Sequence, residues 1–565
     1  MNRFDTHEVF NQASAFADVN LFACDPALRE GLAREGGGWA APGLEQLGAR
    51  LGSAAVRELA RLANEFSPRL VNFDRNGRRI DEVEFHPAWH ELMGLLIGNG
   101  AHSLPWEGVQ PGAQVARAAA YLLFGQVENG TQCPVTMTYA SVPALRQNPA
   151  IAARWLPKIL SRDYDPRSLP VGQKRGALVG MGMTEKQGGT DVRANTTRAT
   201  PLDPGSARAR FGGEGEGAWN IVGHKWFFSV PQSDAHLILA QTDEGGSAGL
   251  SCFFVPRFLP DGSRNAIRVQ RLKNKLGNRS SASSEVEFCD AVGWMIGKEG
   301  RGIPTILEMG SHTRLDCVLG SAGIMRAALC HALHHARGRS AFGRPLAQQP
   351  LMQNVLADLA LESEAATAFS LRLARCFDQV SDPVAGPAQA LLARILTPAG
   401  KYWICKRGPG FGAEAMEVMG GNGYVEDGPL ARLYREFPVN SIWEGSGNVM
   451  CLDVLRAIAR GPEMRDALET ELAPAAGRDA RFDAHAARLL DGLAASAQDE
   501  FGARRLAEGL VLAVQASLLL RHAPDYVADA FVASRIAREP GGAFGRLPEG
   551  VDSAAILARA LVETP

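Results

Sequence analysis

The stretch GMTEKQGGTDVRA, residues 182–194, decides the fold assignment of this 565-residue chain. It follows the apolar run ALVGM (177–181) and sets two adjacent glycines, Gly188 and Gly189, beside threonines and acidic residues. Glycine lets the backbone approach a ligand closely or adopt positive φ, while hydroxyls and backbone amides offer hydrogen bonds. From the residues alone, the stretch is either a polar turn or a loop that holds a cofactor.

The composition is typical of a soluble globular protein with several domains, since 46% of the residues are apolar and 21% are charged. A net charge of −2 predicts no strong overall attraction to nucleic acid or to a membrane, although a local patch is compatible with it. Nine cysteines without a C-x-x-C pair indicate neither a zinc site nor a disulfide framework, so we expect no metal. The N-terminus MNRFDTHEVFNQ has no apolar signal region, and we expect a cytoplasmic protein without membrane contact.

The hydrophobic periodicity changes along the chain and predicts a mainly α protein with a central β domain. Helical spacing in residues 1–180 predicts an N-terminal helical domain, and alternating runs such as WNIVGHKWFFSV predict a β domain in residues 181–295. Long helical patterns return in residues 296–460, and residues 461–565 form a further helical extension. Within the β domain, GGEGEG (212–217) is expected at a hairpin tip on the surface.

A second long motif supports a functional interpretation of the first. GMTEKQGGTDVRA and EVMGGNGYVEDGPLARLYRE (417–436) resemble the two signatures of the acyl-CoA dehydrogenase family. RLKNKLGNRSSAS (271–283) and NSIWEGSGNVMCLDVLR (440–456) resemble the AidB branch, which is associated with the response to DNA alkylation. The resemblance implies the acyl-CoA dehydrogenase fold: a helical N-terminal domain, a barrel-like β domain, a helical C-terminal domain and here a C-terminal helical extension. It also implies bound FAD and a homotetramer.

The resemblance further implies a set of cofactor contacts. Met183 and Thr184 would contact the flavin ring, with Gly189 and Thr190 near its ribityl or pyrophosphate portion. Arg339, in RSAFGRPLAQQPLMQN (339–354), would reach the pyrophosphate of a neighbouring subunit's FAD, since arginine pairs well with phosphate. The other expected contacts are Phe228 and Ser229 beside the ring, Gly420 and Gly421 on the adenine side, and Trp443, Ser446 and Asn448. Taken alone, Arg339 is equally a solvated charge at a helix end.

The catalytic base is predicted in NSIWEGSGN (440–448). Acyl-CoA dehydrogenation removes a proton from Cα, and Glu444 matches the family's base segment in a glycine turn before a helix. A competing family position for the base lies immediately before the arginine of an earlier helix, but Thr313 precedes Arg314 here. Taken alone, a glutamate in a glycine turn before a helix is more often a helix cap. Arg456, twelve residues later, is a second catalytic candidate that would set the local field, with a salt bridge as the alternative.

A DNA contact is expected to be weak if it exists. Residues 461–565 hold eleven arginines, no lysine and sixteen acidic residues, a net charge of −5 that opposes phosphate binding. SRIAREPGGAFGR (534–546) nevertheless clusters Arg535, Arg538 and Arg546, which are candidate contacts to double-stranded DNA. No sequence-reading motif is present, so weak sequence specificity is expected.

Three functions follow as hypotheses. The first is a DNA-associated FAD protein that protects against alkylation damage and retains weak acyl-CoA dehydrogenase activity. The second is a working metabolic acyl-CoA dehydrogenase without a DNA role. The third is a flavin-bound scaffold that does not turn over.

Overall fold

The computed structural model describes residues 6–242, 249–537 and 542–562. The chain divides into two compact units. The helical unit comprises Met1–Arg57, Pro111–Val127 and Cys317–Pro565, and the mixed unit comprises Glu58–Gln110 and Glu128–Asp316. The predicted fold class, mainly α with a central β domain, is confirmed.

Helices account for most of the secondary structure of the described residues. In chain order they are α1 (Pro26–Arg34), α2 (Ala41–Gly52), α3 (Ala54–Glu65), α4 (Pro87–Gly98), α5 (Ala113–Gly125), α6 (Gln132–Leu145), α7 (Pro149–Ile159), α8 (Pro204–Phe211), α9 (Gly302–Gly338), α10 (Pro350–Gln379), α11 (Gly386–Val418), α12 (Gly421–Tyr424), α13 (Pro429–Asn440), α14 (Gly447–Ile458), α15 (Glu463–Leu472), α16 (Ala480–Ser496), α17 (Ala503–His522), α18 (Asp525–Phe531) and α19 (Ser553–Ala560). A π-helical turn, Val532–Ile536, follows α18.

Most strands of the mixed unit build a closed sheet, whereas β1 (Arg69–Phe73) and β2 (Arg79–Glu84) pair only with each other. The strands of the chain are β1 (Arg69–Phe73), β2 (Arg79–Glu84), β3 (Val179–Gly182), β4 (Arg198–Pro201), β5 (Ala218–Ser229), β6 (Ala235–Gln241), β7 (Leu250–Pro256), β8 (Ile267–Leu272), β9 (Ser283–Ile296), β10 (Ser340–Ala341) and β11 (Arg344–Pro345). In the main sheet the order is β3-β6-β4-β5-β9-β7, β8 pairs with β9, and β7 also pairs with β6. This last pairing closes the sheet into the barrel-like form that the resemblance implies. The signature loop at 183–192 leaves directly from the end of β3.

Long helices form the centre of the helical unit. α10 and α11 pack on each other, and α11 also contacts α13 and α14. From the extension, α17 packs on both α10 and α11, and α19 packs on α10. Residues after 460 are therefore part of the same compact unit as the long helices.

One helix of the described ranges, α9, is long and apolar enough to cross a membrane by length and composition. Its most apolar window is 94% buried within the structure, which is the environment of a core helix. The segment GGEGEG is mostly exposed and lies in the connection between the antiparallel strands β4 and β5. The connection is longer than a simple hairpin tip, because it contains α8 and a 3-10 turn at Gly212–Gly215.

Candidate active site

The signature loop is fixed by a buried ion pair. Lys225 of β5 donates from Nζ to Glu185 Oε1 at 2.7 Å, and both side chains are fully buried. The Glu185 carboxylate also accepts the backbone N–H of Thr196 at 2.7 Å and of Thr197 at 3.2 Å. Lys225 gives a second hydrogen bond to the Leu239 carbonyl at 2.8 Å. The loop is thus fastened to β5 and β6 from inside.

The pair keeps its charges at neutral pH. Burial alone would raise the pKa of Glu185, but the Lys225 ammonium and the hydrogen bonds from the Thr196–Thr197 segment lower it to about 2. Burial lowers the pKa of Lys225 to about 8, and Glu185 opposes that shift. Glu185 is therefore a structural anion of the loop. It is not available as a base.

The predicted flavin contacts of the loop lie on its accessible side. Met183 and Thr184 are half-buried, whereas Gly189 and Thr190 are exposed. A Cβ at Gly189 would lie 3.0 Å from the Thr184 side chain, so glycine is the residue that lets the loop close on itself there. The contacts themselves stay predictions, since the structure contains the protein chain alone.

The structure corrects one of the predicted ring contacts. Phe228 is fully buried, stacks on His236 with ring centroids 4.0 Å apart, and belongs to the core of the sheet. A flavin cannot lie against it without unpacking that core. Its neighbour Phe227 is 52% exposed. Phe227, together with the half-buried Ser229, is thus the position from which a ring contact is available.

Phe228 points into the core, and Phe227 is exposed, because β5 contains a bulge. Lys225 is opposite Val286 of β9, and Phe228 is opposite Ser284, so three steps on β5 match two on β9. Lys225 and Phe228 both point inward as a result, although a regular strand would place them on opposite faces. Simple alternation could not have shown this.

Glu444 occupies a strained turn of the helical unit, between the end of α13 and the start of α14. Its φ is +57° and that of Gly445 is +110°, so two successive residues are left-handed. The turn is anchored at its start by Asn440, whose amide donates to Ser321 Oγ at 3.1 Å. At Gly445, the carbonyl accepts a short hydrogen bond from Lys401 Nζ.

The other predicted residues around the turn differ in their surroundings. The Trp443 indole N–H is buried and has no hydrogen-bond partner in the described part of the chain. Ser446 is the N-cap residue of α14 but makes no side-chain capping bond. Asn448 Oδ1 accepts two hydrogen bonds from Arg504 of α17, at 2.9 and 2.7 Å. The extension therefore contacts the helix that follows the predicted base.

Arg339 precedes a small exposed hairpin formed by β10 and β11. Its Nη1 donates to the Asn11 carbonyl at 2.7 Å, and the guanidinium has further N–H groups to offer a phosphate. Phe342 at the hairpin tip is fully exposed. Gly420 has φ +60°, and a Cβ at either Gly420 or Gly421 would meet open space.

The catalytic role of Arg456 stays a prediction, and the side chain lies at the far end of the helix that begins after the Glu444 turn. It is exposed in the last turn of α14, nine residues after Gly447, which is a helical rise of roughly 14 Å. This separation argues against a direct contact with Glu444. We assign it no catalytic step.

Of the DNA candidates, Arg535 is corrected by the structure. It is 9% exposed and pairs with Asp358, by a short contact, and with Glu362 at 3.2 Å. A buried guanidinium that neutralises two carboxylates cannot also bind a DNA phosphate. Arg546 is exposed, and Arg538 lies outside the described residues.

Comparison with known proteins identifies the family. Residues 11–166 match the model of the adaptive response protein AidB N-terminal domain. Residues 180–291 match the acyl-CoA dehydrogenase middle domain, and residues 300–459 match the acyl-CoA dehydrogenase C-terminal domain. AidB from Escherichia coli (strain K12) is 52% identical over 530 residues, which cover 94% of each chain. This chain belongs to the AidB branch of the acyl-CoA dehydrogenase family. The predicted family membership is confirmed.

Solved structures of acyl-CoA dehydrogenases show the same fold. Caenorhabditis elegans ACDH-11 in complex with C11-CoA has a TM-score of 0.82 and 26% identity, covering 100% of this chain and 94% of that one. An acyl-CoA dehydrogenase from Bacillus anthracis complexed with FAD has a TM-score of 0.64 and 18% identity, covering 79% of each chain, and shows the fold alone.

Acyl-CoA dehydrogenases are FAD-dependent, so the predicted cofactor is confirmed through the family. The residues present fit that group. In the helical unit, the buried indole N–H of Trp443 lacks a hydrogen-bond partner among the described residues, and the Gly420–Gly421 turn is open. In the mixed unit, Phe227 offers an exposed ring. Sequence reasoning overlooked Phe227, the Glu185–Lys225 pair and Lys401. The signal for the pair was a lysine within a predicted strand, two residues before the apolar pair Phe227–Phe228.

Proposed function

We propose that the protein is a working FAD-dependent acyl-CoA dehydrogenase in which Glu444 is the catalytic base. The observation that carries this proposal is the turn that holds Glu444. It lies in the family's base segment, and both Asn440 and Lys401 fasten it to neighbouring helices. A base needs a fixed position, because a small displacement from the reacting proton costs a large factor in rate.

The reaction removes two hydrogens from the acyl chain. Glu444 takes the Cα proton, and the electrons of that C–H bond form the Cα–Cβ double bond. When bound, FAD supplies the acceptor for the hydride that leaves Cβ. The chain's own residues supply orientation. The loop from Met183 to Thr190 and the exposed Phe227 are the candidates to hold the flavin, and Trp443 offers an unused donor beside the base.

The test is anaerobic mixing of the holoprotein with a panel of acyl-CoAs of different chain length while the flavin absorbance is recorded. At least one acyl-CoA should bleach the flavin. Glu444→Gln keeps the shape but cannot take the proton, so bleaching should slow by about 10² to 10⁴. Glu463→Gln, an exposed carboxylate on α15, is the matched control and should bleach like wild type. Absence of bleaching by every member of the panel removes the proposal.

We further propose a homotetramer in the cytoplasm. Phe342 is fully exposed and Leu351, nine residues later, is 85% exposed, close in sequence to Arg339. Large exposed apolar side chains near a predicted phosphate ligand support burial of this surface against another copy of the chain. Arg339 would then serve the FAD of the neighbouring subunit.

A DNA-associated role in protection against alkylation, with weak dehydrogenase activity, is the second candidate. The match to the AidB N-terminal model and the 52% identity to AidB favour it. The acidic extension and the internal pairing of Arg535 oppose a strong DNA contact. Retention of a long duplex should be weak and should fall as salt rises, with a log–log slope that decreases by roughly 0.9 for each phosphate that the protein no longer neutralises. Arg546→Ala should flatten this slope. No retention at low salt excludes the role.

A further inference from the structure

Lys401 of α11 is a buried charge that the proposed chemistry does not use. It is 1% exposed, and its Nζ donates a short hydrogen bond to the carbonyl of Gly445. An ammonium taken out of water is strongly disfavoured unless its surroundings compensate it. Packing alone does not explain a lysine at this position, because leucine or methionine would fill the same space without the cost of burying a charge.

The carbonyl that Lys401 binds lies in the least favourable part of the backbone around the base. Glu444 has φ +57° and Gly445 has φ +110°. A glutamate in the left-handed region is strained, and such a residue persists only where its surroundings hold it. Lys401 binds the carbonyl oxygen of Gly445, the residue that follows the strained Glu444.

The two ends of the turn are held by other residues, and the N–H groups of Ile442 and Trp443 donate to the Val439 carbonyl. Lys401 adds a contact that reaches the turn from α11. Asn440 anchors the residue before the turn to Ser321. Gly447 packs on the ring of Tyr402, where a Cβ would be 3.3 Å from Tyr402 Cδ2. Between these anchors, α11 supports the segment 441–446 through the side chain of Lys401.

We infer that Lys401 is the positioning residue of the base turn: its ammonium holds the Gly445 carbonyl and so fixes the backbone from which the Glu444 side chain starts. The inference rests on the proposed function for its catalytic meaning. Its structural content, that Lys401 restrains residues 441–447, can be tested without turnover.

The first experiment is hydrogen–deuterium exchange on the FAD-loaded protein, comparing wild type, Lys401→Met and Lys406→Met. Lys406 is an exposed lysine on the same helix and is the matched control. In Lys401→Met, exchange in peptides covering residues 441–447 should speed up by at least about tenfold, while β6 and α9 peptides keep the wild-type rate. Lys406→Met should match wild type throughout. Unchanged exchange at 441–447 overturns the inference, and so does a rise spread over the whole chain, because that is general destabilisation.

The second experiment is the pH dependence of flavin reduction by an acyl-CoA that bleaches the wild type. Lys401→Met should reduce the flavin about 10- to 100-fold more slowly. The acid limb of its profile should also move to higher pH, because the substitution removes a positive charge that contacts the residue next to Glu444, and such a charge favours an ionised carboxylate. Lys401→Arg keeps a cationic donor and should recover part of the rate.

If Lys401→Met does not retain FAD, Lys401→Gln takes its place in both experiments. A slower rate with an unmoved pH profile and no recovery in Lys401→Arg contradicts a positioning role. If no acyl-CoA bleaches the wild type, the proposed function fails, and the exchange result still decides whether Lys401 holds the turn.

Discussion

Removing one partner of the Glu185–Lys225 pair should cost far more stability than removing both. The two side chains are fully buried and 2.7 Å apart, so both charges are shielded from bulk solvent. A single substitution, Lys225→Met or Glu185→Gln, leaves the other charge buried without its partner. Such a change costs about 3–5 kcal/mol, a large part of the roughly 5–15 kcal/mol that keeps a domain folded. The double variant should lose much less than the sum of the two single losses.

The assay is urea unfolding of the four proteins at pH 7, followed by tryptophan fluorescence and by release of FAD. Glu84→Gln is the control, because Glu84 pairs with Arg69 on the surface, where side-chain exposures of 55% and 74% predict a loss under about 1 kcal/mol. Single variants that unfold within about 1 kcal/mol of wild type would refute the reasoning. Additive losses in the double variant would refute it as well.

The pair also predicts a pH dependence. The pKa of Glu185 in the folded protein is about 2, below its usual 4.5, so its contribution is complete above pH 4.5 and is lost as the pH falls toward 2. The stability difference between wild type and Glu185→Gln should therefore shrink over that interval. A difference that stays constant between about pH 5 and pH 3 would contradict the low pKa.

Three further predictions follow from the burial or exposure of individual side chains. Phe228→Ala should lower the free energy of unfolding by about 3–5 kcal/mol in urea titrations, because Phe228 is fully buried. Phe227→Ala should leave the free energy of unfolding nearly unchanged but weaken FAD retention on dialysis. The reverse pattern would restore Phe228 as the ring contact. Arg535→Ala should destabilise by about 3–5 kcal/mol, because it leaves the buried Asp358 without its ion-pair partner and Glu362 with Arg407 alone. The exposed Arg505→Ala should change stability by less than about 0.5 kcal/mol, and equal effects would place Arg535 on the surface. Phe342→Asp should shift the mass measured by light scattering to a smaller assembly than wild type, and an unchanged mass would exclude the hairpin tip from the interface.

Periodicity predicted the strands well because their apolar runs are bounded by turn residues. The alternating run WNIVGHKWFFSV (219–230) predicted a strand, and β5 spans Ala218–Ser229. Side-chain direction was harder, since the bulge at Lys225–Phe228 is a property of pairing with β9 and not of β5 alone. The β1–β2 hairpin escaped notice because its residues are only half-buried and alternate weakly.

In the candidate site, local motifs were predictable from the sequence, whereas contacts between distant segments were not. The motif at 182–194 predicted the flavin loop, and the separate segment NSIWEGSGN (440–448) predicted Glu444 as the base, because the residues of each segment are contiguous in the sequence. Arg535 was misjudged as a surface charge, since its partners Asp358 and Glu362 are more than 170 residues away in the chain. Lys401 and Glu444 are 43 positions apart, and nothing local in either segment indicates that α11 supports the turn.

The central claim, that Glu444 takes the α-proton of an acyl-CoA, is tested most directly by proton exchange into D₂O. An acyl-CoA that binds but cannot deliver a hydride from Cβ is incubated with the holoprotein, and deuterium at Cα is measured by NMR. Wild type and Glu463→Gln should incorporate deuterium at Cα, and Glu444→Gln should do so at least about 100-fold more slowly while retaining FAD. Exchange at the wild-type rate in Glu444→Gln would show that another group is the base.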